Sequence, residues 1–206
     1  MKILAVCLGR PEILAGKKYK TGINKQPLNG AIMVDSEGLV GDAILNRKHH
    51  GGVDQAVYLE GSIDLDWWQA ELGRDLPYGT FGENLVIDGL ESAMLAAGDR
   101  LKIGEVILEI TSARIPCATF AAKMGEPTFV KRYTHAARPG AYARVLQGGM
   151  IESGQAVQFT PWSGERVTVR EMMATFGGRL SDPDRARYLA APVHYKVKDA
   201  IRTGKM

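Results

Sequence analysis

The sequence predicts a mainly β protein with helices, an α+β fold in which a β-barrel precedes a small C-terminal appendage of three helices. Short β-branched and apolar segments recur between glycine-rich turns up to residue 160. Helical spacing is rare in that region, and strand signals stop after Pro161. We therefore predict a barrel domain at residues 1–161 and a helical domain at 162–206, which suits a chain of 206 residues.

The strands are predicted where apolar and β-branched residues lie between turn residues. These segments are 2–8, 31–34, 55–59, 85–87, 100–103, 106–111, 141–146 and 157–160. The two residues Gly104 and Glu105 separate two of these segments and predict a tight hairpin.

The barrel region contains one clear helix pattern at 62–72, with Ser62 as its N-cap and Gly73 as its stop. Residues 118–133 are expected to be helical or irregular, with a break at Pro127. In the tail, a capping box at 168–171 opens a helix that ends at the glycines 177–178.

Two more helices are predicted in the tail. Ser181 caps one that extends to residue 189, and Pro192 starts the other, which extends to about residue 201. The pair Trp67 and Trp68 is expected to pack in the core rather than to contact a cofactor.

Composition limits the possible functions. The chain has 26 Lys and Arg against 23 Asp and Glu, a net charge of +3, which is too little for a dedicated nucleic-acid binder but permits a local anion site. Its two cysteines lie far apart, which argues against a disulfide framework or structural zinc. The apolar run at residues 3–8 is too short for a signal peptide or a membrane span. We expect a soluble, cytoplasmic protein with no membrane partner and no specific nucleic-acid partner.

Cys117 is the strongest candidate for chemistry. It follows a predicted strand, and Arg114 lies three residues upstream, so the thiol is suited to reactivity or metal ligation. The alternative is a small buried hydrophobic residue. Cys7 lies in an apolar run and is expected in the core.

Two basic segments are candidate anion sites. Lys20, Thr21 and Lys25 belong to a loop that could hold a phosphate, although a solvated surface loop has the same composition. A second segment contains four candidates for ligand binding, namely His49, His50, Gly51 and Gly52, and its alternative is a tight turn. Asp54 could orient one imidazole. Adjacent histidines point to opposite faces of a strand, so both are not expected to bind one metal ion.

Glu83 and Asn84 place an acid and an amide at the start of a strand, where they could hydrogen-bond a heterocycle or belong to an ordinary turn. Arg138 and Arg144 could complete an anion site or form ion pairs on a strand.

Together these segments resemble the MOSC family, the molybdenum cofactor sulfurase C-terminal domain. The matching segments keep their order along residues 1–160. They are KTGINKQP, GLVGD, HHGGVDQAVY, FGENL, GDRLKIGEVILEIT, ARIPC and PGAYARV. The early loop and the helical tail are similar to the YiiM branch of that family. Three positions depart from the family's common residues, namely Asn46, Ala113 and Gln155.

The resemblance implies a MOSC-type β-barrel that binds molybdenum–molybdopterin, with Cys117 as ligand to the metal. A soft thiolate suits that metal, and Arg114 would favour the thiolate. The pterin phosphate would be bound by Lys20, Thr21, Lys25, His50 and the backbone of Gly51 and Gly52. Glu83 and Asn84 would contact the pterin or support it.

The resemblance also implies reduction of small N-hydroxylated compounds such as 6-N-hydroxylaminopurine. Two cysteines cannot hold a four-cysteine iron–sulfur cluster, and no dinucleotide-binding fingerprint occurs, so a separate flavin or iron–sulfur protein is expected to donate the electrons. The alternative function is a carrier of the cofactor or of persulfide sulfur without turnover. The sequence leaves open whether the protein forms a homodimer, and whether the tail covers the site or docks the electron donor.

Overall fold

The computed structural model describes residues 1–46 and 50–206. The strands form three sheets. Their bounds are β1 Ile3–Gly9, β2 Glu12–Ile13, β3 Lys20–Thr21, β4 Lys25–Pro27, β5 Ile32–Asp35, β6 Gly38–Leu39, β7 Val57–Gly61, β8 Leu85–Ile87, β9 Arg100–Ile103, β10 Val106–Ala113, β11 Ala141–Gln147, β12 Gly149–Ile151 and β13 Val157–Thr160. All segments predicted as strands are found, with small shifts at their ends.

The main sheet has the strand order β13-β9-β10-β11-β7-β8-β1-β4. Its neighbours pair antiparallel except β7 and β8, which are parallel. The predicted hairpin is confirmed, because Ile103 pairs with Val106 across Gly104 and Glu105. The smaller sheets have the orders β12-β5-β6 and β2-β3.

Closure of the main sheet into a barrel is not confirmed, because its strand order has two ends, β13 and β4. An isolated antiparallel bridge joins Lys2 to Ala156, and the Val157 amide donates to the Met1 carbonyl at 3.0 Å. These contacts bring the start of the chain to the β13 edge. What is observed is a mixed α+β fold around a large sheet.

The helices of the described residues are α1 Ser62–Leu72, α2 Ala118–Met124, α3 Phe129–Ala136, α4 Val169–Ala174, α5 Asp182–Ala190 and α6 Tyr195–Arg202, with 3-10 helices at Val53–Gln55 and Ser92–Met94. Helix α1 has the predicted bounds, although its N-cap is Gly61 and not Ser62. Gly73 ends it in the left-handed conformation, with φ of 61°. Helix α6 begins three residues later than predicted from Pro192, because His194 is extended and its Nδ1 accepts a hydrogen bond from the Lys196 amide.

An aromatic cluster joins α1, α2 and α3. Trp68 is fully buried and stacks on Tyr133, with ring centroids 5.4 Å apart. Phe120 packs edge-on against Tyr133 at 5.1 Å and against Phe129 at 5.2 Å. The predicted packing role of Trp68 is confirmed. Rings of this size contribute a large share of the buried apolar area, so the cluster fixes where α2 starts.

The tail contains the three predicted helices, and it packs against the main sheet. The Val169 amide donates to the Leu95 carbonyl at 2.8 Å, and Arg166 forms an ion pair with the buried Asp99 at 2.9 Å. Val193 and Ile201 belong to the same hydrophobic cluster as the strand residues. The domain boundary at 161/162 stays a prediction. No helix among the described residues is long and apolar enough to cross a membrane.

Candidate functional site

A cavity of about 350 Å³ lies where the early loop, the segment before β7 and the start of α2 meet. Tyr58 of β7, Tyr142 of β11 and Asn84, the residue before β8, also line it. Eight of the predicted site residues line it, namely Lys20, Thr21, Lys25, His50, Gly51, Asn84, Arg114 and Cys117. Sequence reasoning therefore located this cavity.

Cys117 lies at the N-cap of α2 and is partly buried. Burial alone would raise its pKa. A hydrogen bond from His50 and the positive charge of Arg114 outweigh that effect and lower the pKa from 9.0 to about 6. The thiol is therefore mostly ionised at neutral pH, and it faces a cavity. The alternative of an inert core cysteine is wrong for Cys117 and right for Cys7, which is fully buried, with a pKa raised to about 12 mainly by burial.

Arg114 is a buried cation with spare donor capacity. Its side chain is 5% exposed, and the guanidinium carbon lies 3.6 Å from the centroid of the Phe120 ring. Its Nη1 has no hydrogen-bond partner among the described residues, and the same holds for Oε1 of Gln55, which also lines the cavity. Buried polar atoms are rarely left unpaired. A guanidinium in this position, with its Nη1 unpaired, is suited to hold an anion.

Gly51 and Gly52, the two glycines that follow His50, have left-handed backbone conformations, and Gly51 lies close to a neighbouring side chain. Gly51 has φ of 77°, and a Cβ there would lie 2.7 Å from Cγ2 of Ile44. Gly52 has φ of 83° but does not line the cavity, so its predicted ligand contact is not supported. His49 lies outside the described residues. Both glycines are required by conformation, and only Gly51 belongs to the cavity wall.

Lys25 corrects the prediction of a phosphate clasp. Its Nζ lies 2.5 Å from Oδ2 of Asp42, and both side chains are buried. Burial lowers the pKa of Lys25, and the charge of Asp42 opposes this shift. Because its charge is already matched, Lys25 serves as an internal ion pair. No local sequence signal indicates this partner, which lies seventeen positions away in the chain.

Asn84 also uses its amide within the protein. Its Nδ2 donates to Asp42 Oδ2 at 2.9 Å, and its Oδ1 accepts from the Tyr58 amide at 3.1 Å. It therefore lines the cavity while it supports the Asp42 carboxylate and the start of β7.

Glu83 does not line the cavity, so of its two predicted roles, pterin contact and support, only the supporting role stays open. It is fully buried, and its carboxylate accepts hydrogen bonds from the amides of Gly79 at 2.6 Å and Phe81 at 2.9 Å. Burial raises its pKa, and these hydrogen bonds oppose the shift. Glu83 thus stabilises the turn that leads into β8, which is the ordinary-turn alternative of the sequence analysis.

The early loop is attached to α2 across the cavity. The hydroxyl groups of Tyr19 and Thr119 are hydrogen-bonded at 2.9 Å. Thr21 Oγ1 accepts from the Ile23 amide at 3.2 Å, while Lys20 is exposed at the rim. Of the three predicted loop residues, Lys20 and Thr21 keep the position that a ligand contact requires.

The remaining candidates lie elsewhere. Arg138 forms an ion pair with the buried Asp64 at 3.1 Å. Arg144 pairs with Asp54 at 3.1 Å and Glu109 at 3.5 Å. Asp54 does not orient an imidazole among the described residues; its Oδ2 accepts from the Tyr195 amide at 2.7 Å. Both arginines therefore follow the ion-pair alternative.

Sequence reasoning missed several wall residues. Tyr58 and Tyr142 contact each other with ring centroids 5.3 Å apart, and Asp42 supports the wall. The signals were present, since all three lie in the segments that carry the family resemblance, but their spacing suggested ordinary strand and turn residues.

Comparisons with known proteins identify relatives of this chain. A family model described as "MOSC domain" matches residues 46–158. The uncharacterized protein YflK of Bacillus subtilis (strain 168) is 31% identical over 170 residues, 82% of this chain and 77% of YflK. Protein YiiM of Escherichia coli (strain K12) is 30% identical over 176 residues, 84% of this chain and 74% of YiiM.

A third relative, from Gibberella moniliformis, is named "Reductase". It is 30% identical over 146 residues, which are 69% of this chain but 26% of that protein. The crystal structure of YiiM from Geobacillus stearothermophilus superposes with a TM-score of 0.80 at 22% identity, covering 98% of this chain and 97% of that one. At that identity the structural match establishes the fold alone.

Proposed function

The chain belongs to the MOSC domain family, and on that premise we propose that it is a molybdenum cofactor-dependent reductase of small N-hydroxylated compounds. The observation that carries the proposal is the pairing of a thiol of pKa about 6 with an orphaned, buried guanidinium in one cavity. A soft thiolate is the protein ligand expected for a metal held by dithiolene sulfurs.

The residues of the cavity fit the cofactor. Cys117 would bind the metal, and the hydrogen bond from His50 keeps its sulfur ionised. Arg114 Nη1 would donate to an anionic group such as a phosphate. Lys20 and the Gly51 backbone lie at the cavity wall and would add donors. When bound, the cofactor supplies two-electron reduction of an N–O bond.

The overall reaction converts an N-hydroxylamine, two electrons and two protons into an amine and water. We propose that a separate flavin or iron–sulfur protein donates the electrons. The relative named "Reductase" supports this class of reaction. A pKa of about 6 for Cys117 would favour metal binding at neutral pH, because little of the thiol would have a proton left to lose.

The test is turnover. Protein purified with molybdenum, supplied with 6-N-hydroxylaminopurine and a chemical reductant, should form the amine. Cys117→Ala should lose both bound molybdenum and activity, while the matched Cys7→Ala should keep both, because Cys7 is buried in the core. Protein that holds molybdenum but converts no N-hydroxylated compound contradicts the proposal and favours the cofactor-carrier function.

A further inference from the structure

Asp54 connects the cavity wall to the C-terminal helices. It lies in the 3-10 helix Val53–Gln55, between Gly51 on one side and Gln55 and Ala56 on the other, all of which line the cavity. Its own side chain is buried and points away, toward the tail. One face of the segment 50–56 therefore lines the cavity, and its other face is attached to the C-terminal helices.

Three elements converge on this aspartate. Oδ2 accepts from the Tyr195 amide at 2.7 Å, at the first turn of α6, and Oδ1 lies 3.1 Å from Nε of Arg144 on β11. Its backbone carbonyl accepts from the hydroxyl of Thr111 on β10 at 2.5 Å. The contact with Arg144 is an ion pair, and the two hydrogen bonds have a charged or buried partner, which makes these contacts stronger than exposed ones.

The tail is held at the same place by two more bonds. The His194 amide donates to the Thr111 carbonyl at 2.9 Å, and Nη2 of Arg144 donates to the Pro192 carbonyl at 3.1 Å. Residues 192–195 thus contact the residues that hold Asp54. A carboxylate at the start of α6 is also favoured by the helix dipole.

We propose that the C-terminal helical segment braces the cavity wall, with Asp54 as a positioning residue that fixes the segment from His50 to Ala56. The tail then acts on the site from behind, through the wall. This assigns it a role other than covering the cavity or docking the electron donor. It also explains why Asp54, which lies beside the ligand-binding segment, turns its carboxylate away from the cavity.

The sharpest test removes a single N–H group. Tyr195→Pro deletes the donor to Asp54, and proline is tolerated at the first position of a helix. His194 already has φ of −50° and ψ of 136°, the extended conformation that a following proline requires. Tyr195→Ala is the matched control, because it removes the same ring, which is 52% exposed, and keeps the amide.

Amide hydrogen exchange in the cofactor-free chain provides the readout. In Tyr195→Pro, the peptide that covers residues 50–56 should exchange about tenfold faster than in Tyr195→Ala, as expected for loss of one hydrogen bond to a charged group. The β9–β10 hairpin should exchange equally in both. Equal exchange at 50–56 in the two variants overturns the brace.

A second variant covers the case in which Tyr195→Pro does not fold. Asp54→Asn keeps the shape and removes the charge that Arg144 faces, and it should also speed exchange at 50–56 with an unchanged hairpin. Unchanged exchange there overturns the proposal as well. A linked consequence, which rests on the proposed function, is that Tyr195→Pro loses bound molybdenum faster than Tyr195→Ala. Wild-type protein without molybdenum would contradict the function and leave the exchange experiment decisive for the brace.

Discussion

At the scale of single residues, the site depends on the surroundings of Cys117. Its burial favours the neutral thiol, yet a hydrogen bond from His50 and the charge of Arg114 reverse the balance. Cys7 has the opposite surroundings, with full burial and the nearby Glu83 carboxylate, and its pKa is raised to about 12. The surrounding residues thus make one cysteine of this chain reactive and the other inert.

This difference predicts the pH dependence of alkylation in cofactor-free protein. The thiolate is the nucleophile, so the rate of iodoacetamide modification at Cys117 should rise through a midpoint near pH 6, where its pKa lies. Cys7 should stay unmodified throughout. Mass spectrometry of the two cysteine peptides measures both rates.

The His50→Ala variant provides the control. It removes the hydrogen bond that lowers the pKa of Cys117, so the midpoint should move toward the ordinary value of 9.0. A midpoint unchanged by this substitution, or a wild-type midpoint above pH 8, would contradict the assigned surroundings.

At the scale of elements, the tail shows what local sequence signals predict. The capping box at 168–171 is half confirmed: Thr168 Oγ1 accepts from the Glu171 amide at 3.1 Å. The Glu171 carboxylate, however, pairs with Arg187 of α5, sixteen residues away. The cap is a local interaction and was readable, whereas the ion pair depends on how α4 and α5 pack.

We expect Thr168→Val to destabilise the protein by about 1 kcal/mol, because it removes the capping oxygen and keeps the side-chain volume. Thr168→Ser, which keeps the oxygen, should cost much less. Urea unfolding followed by circular dichroism measures both free energies of unfolding. Equal losses in the two variants would show that the hydroxyl is not what stabilises the start of α4.

The same difference between local and long-range interactions explains which of the other predictions were confirmed. The bounds of helix α1 and the turn of the β9–β10 hairpin were predicted because their stop and turn residues are local. The short strands β2, β3, β4, β6 and β12 were missed, since strands of two or three residues carry no periodicity and exist only through their partners. In the site, Cys117 was found from its position after a strand. Lys25 was expected to bind phosphate but forms an internal ion pair, and Glu83 supports a turn, because the Asp42 partner and the turn amides became visible only in three dimensions.

At the scale of the whole molecule, a buried acidic network links β7, α1 and the loop around Ser92. Glu60 is fully buried; its carboxylate accepts from the Tyr58 hydroxyl at 2.7 Å and from Ser92 Oγ at 3.1 Å. The same Ser92 Oγ, whose single proton is shared between the two carboxylates, lies 2.8 Å from Asp64, and Asp64 pairs with Arg138. Burial raises the pKa of Glu60 well above 4.5, and the nearby Asp64 charge adds to the shift, while the hydrogen bonds from Tyr58 and Ser92 oppose it.

This network predicts how stability depends on pH. Above pH 4.5, the unfolded chain loses the Glu60 proton while the folded protein keeps it, so the folded state binds more protons there and stability falls as pH rises. The slope from one such group reaches about 1.4 kcal/mol per pH unit, and it ends once the folded carboxyl itself ionises.

Glu60→Gln keeps the shape and removes this proton, so its free energy of unfolding should fall less steeply than that of the wild type from about pH 5 upward. The exposed Glu165→Gln is the control and should follow the wild-type slope. Urea unfolding at a series of pH values gives the three slopes. Identical slopes for Glu60→Gln and wild type would mean that Glu60 is ionised in the folded protein. Arg138 and the Ser92 hydroxyl would then be sufficient to stabilise two buried carboxylates side by side.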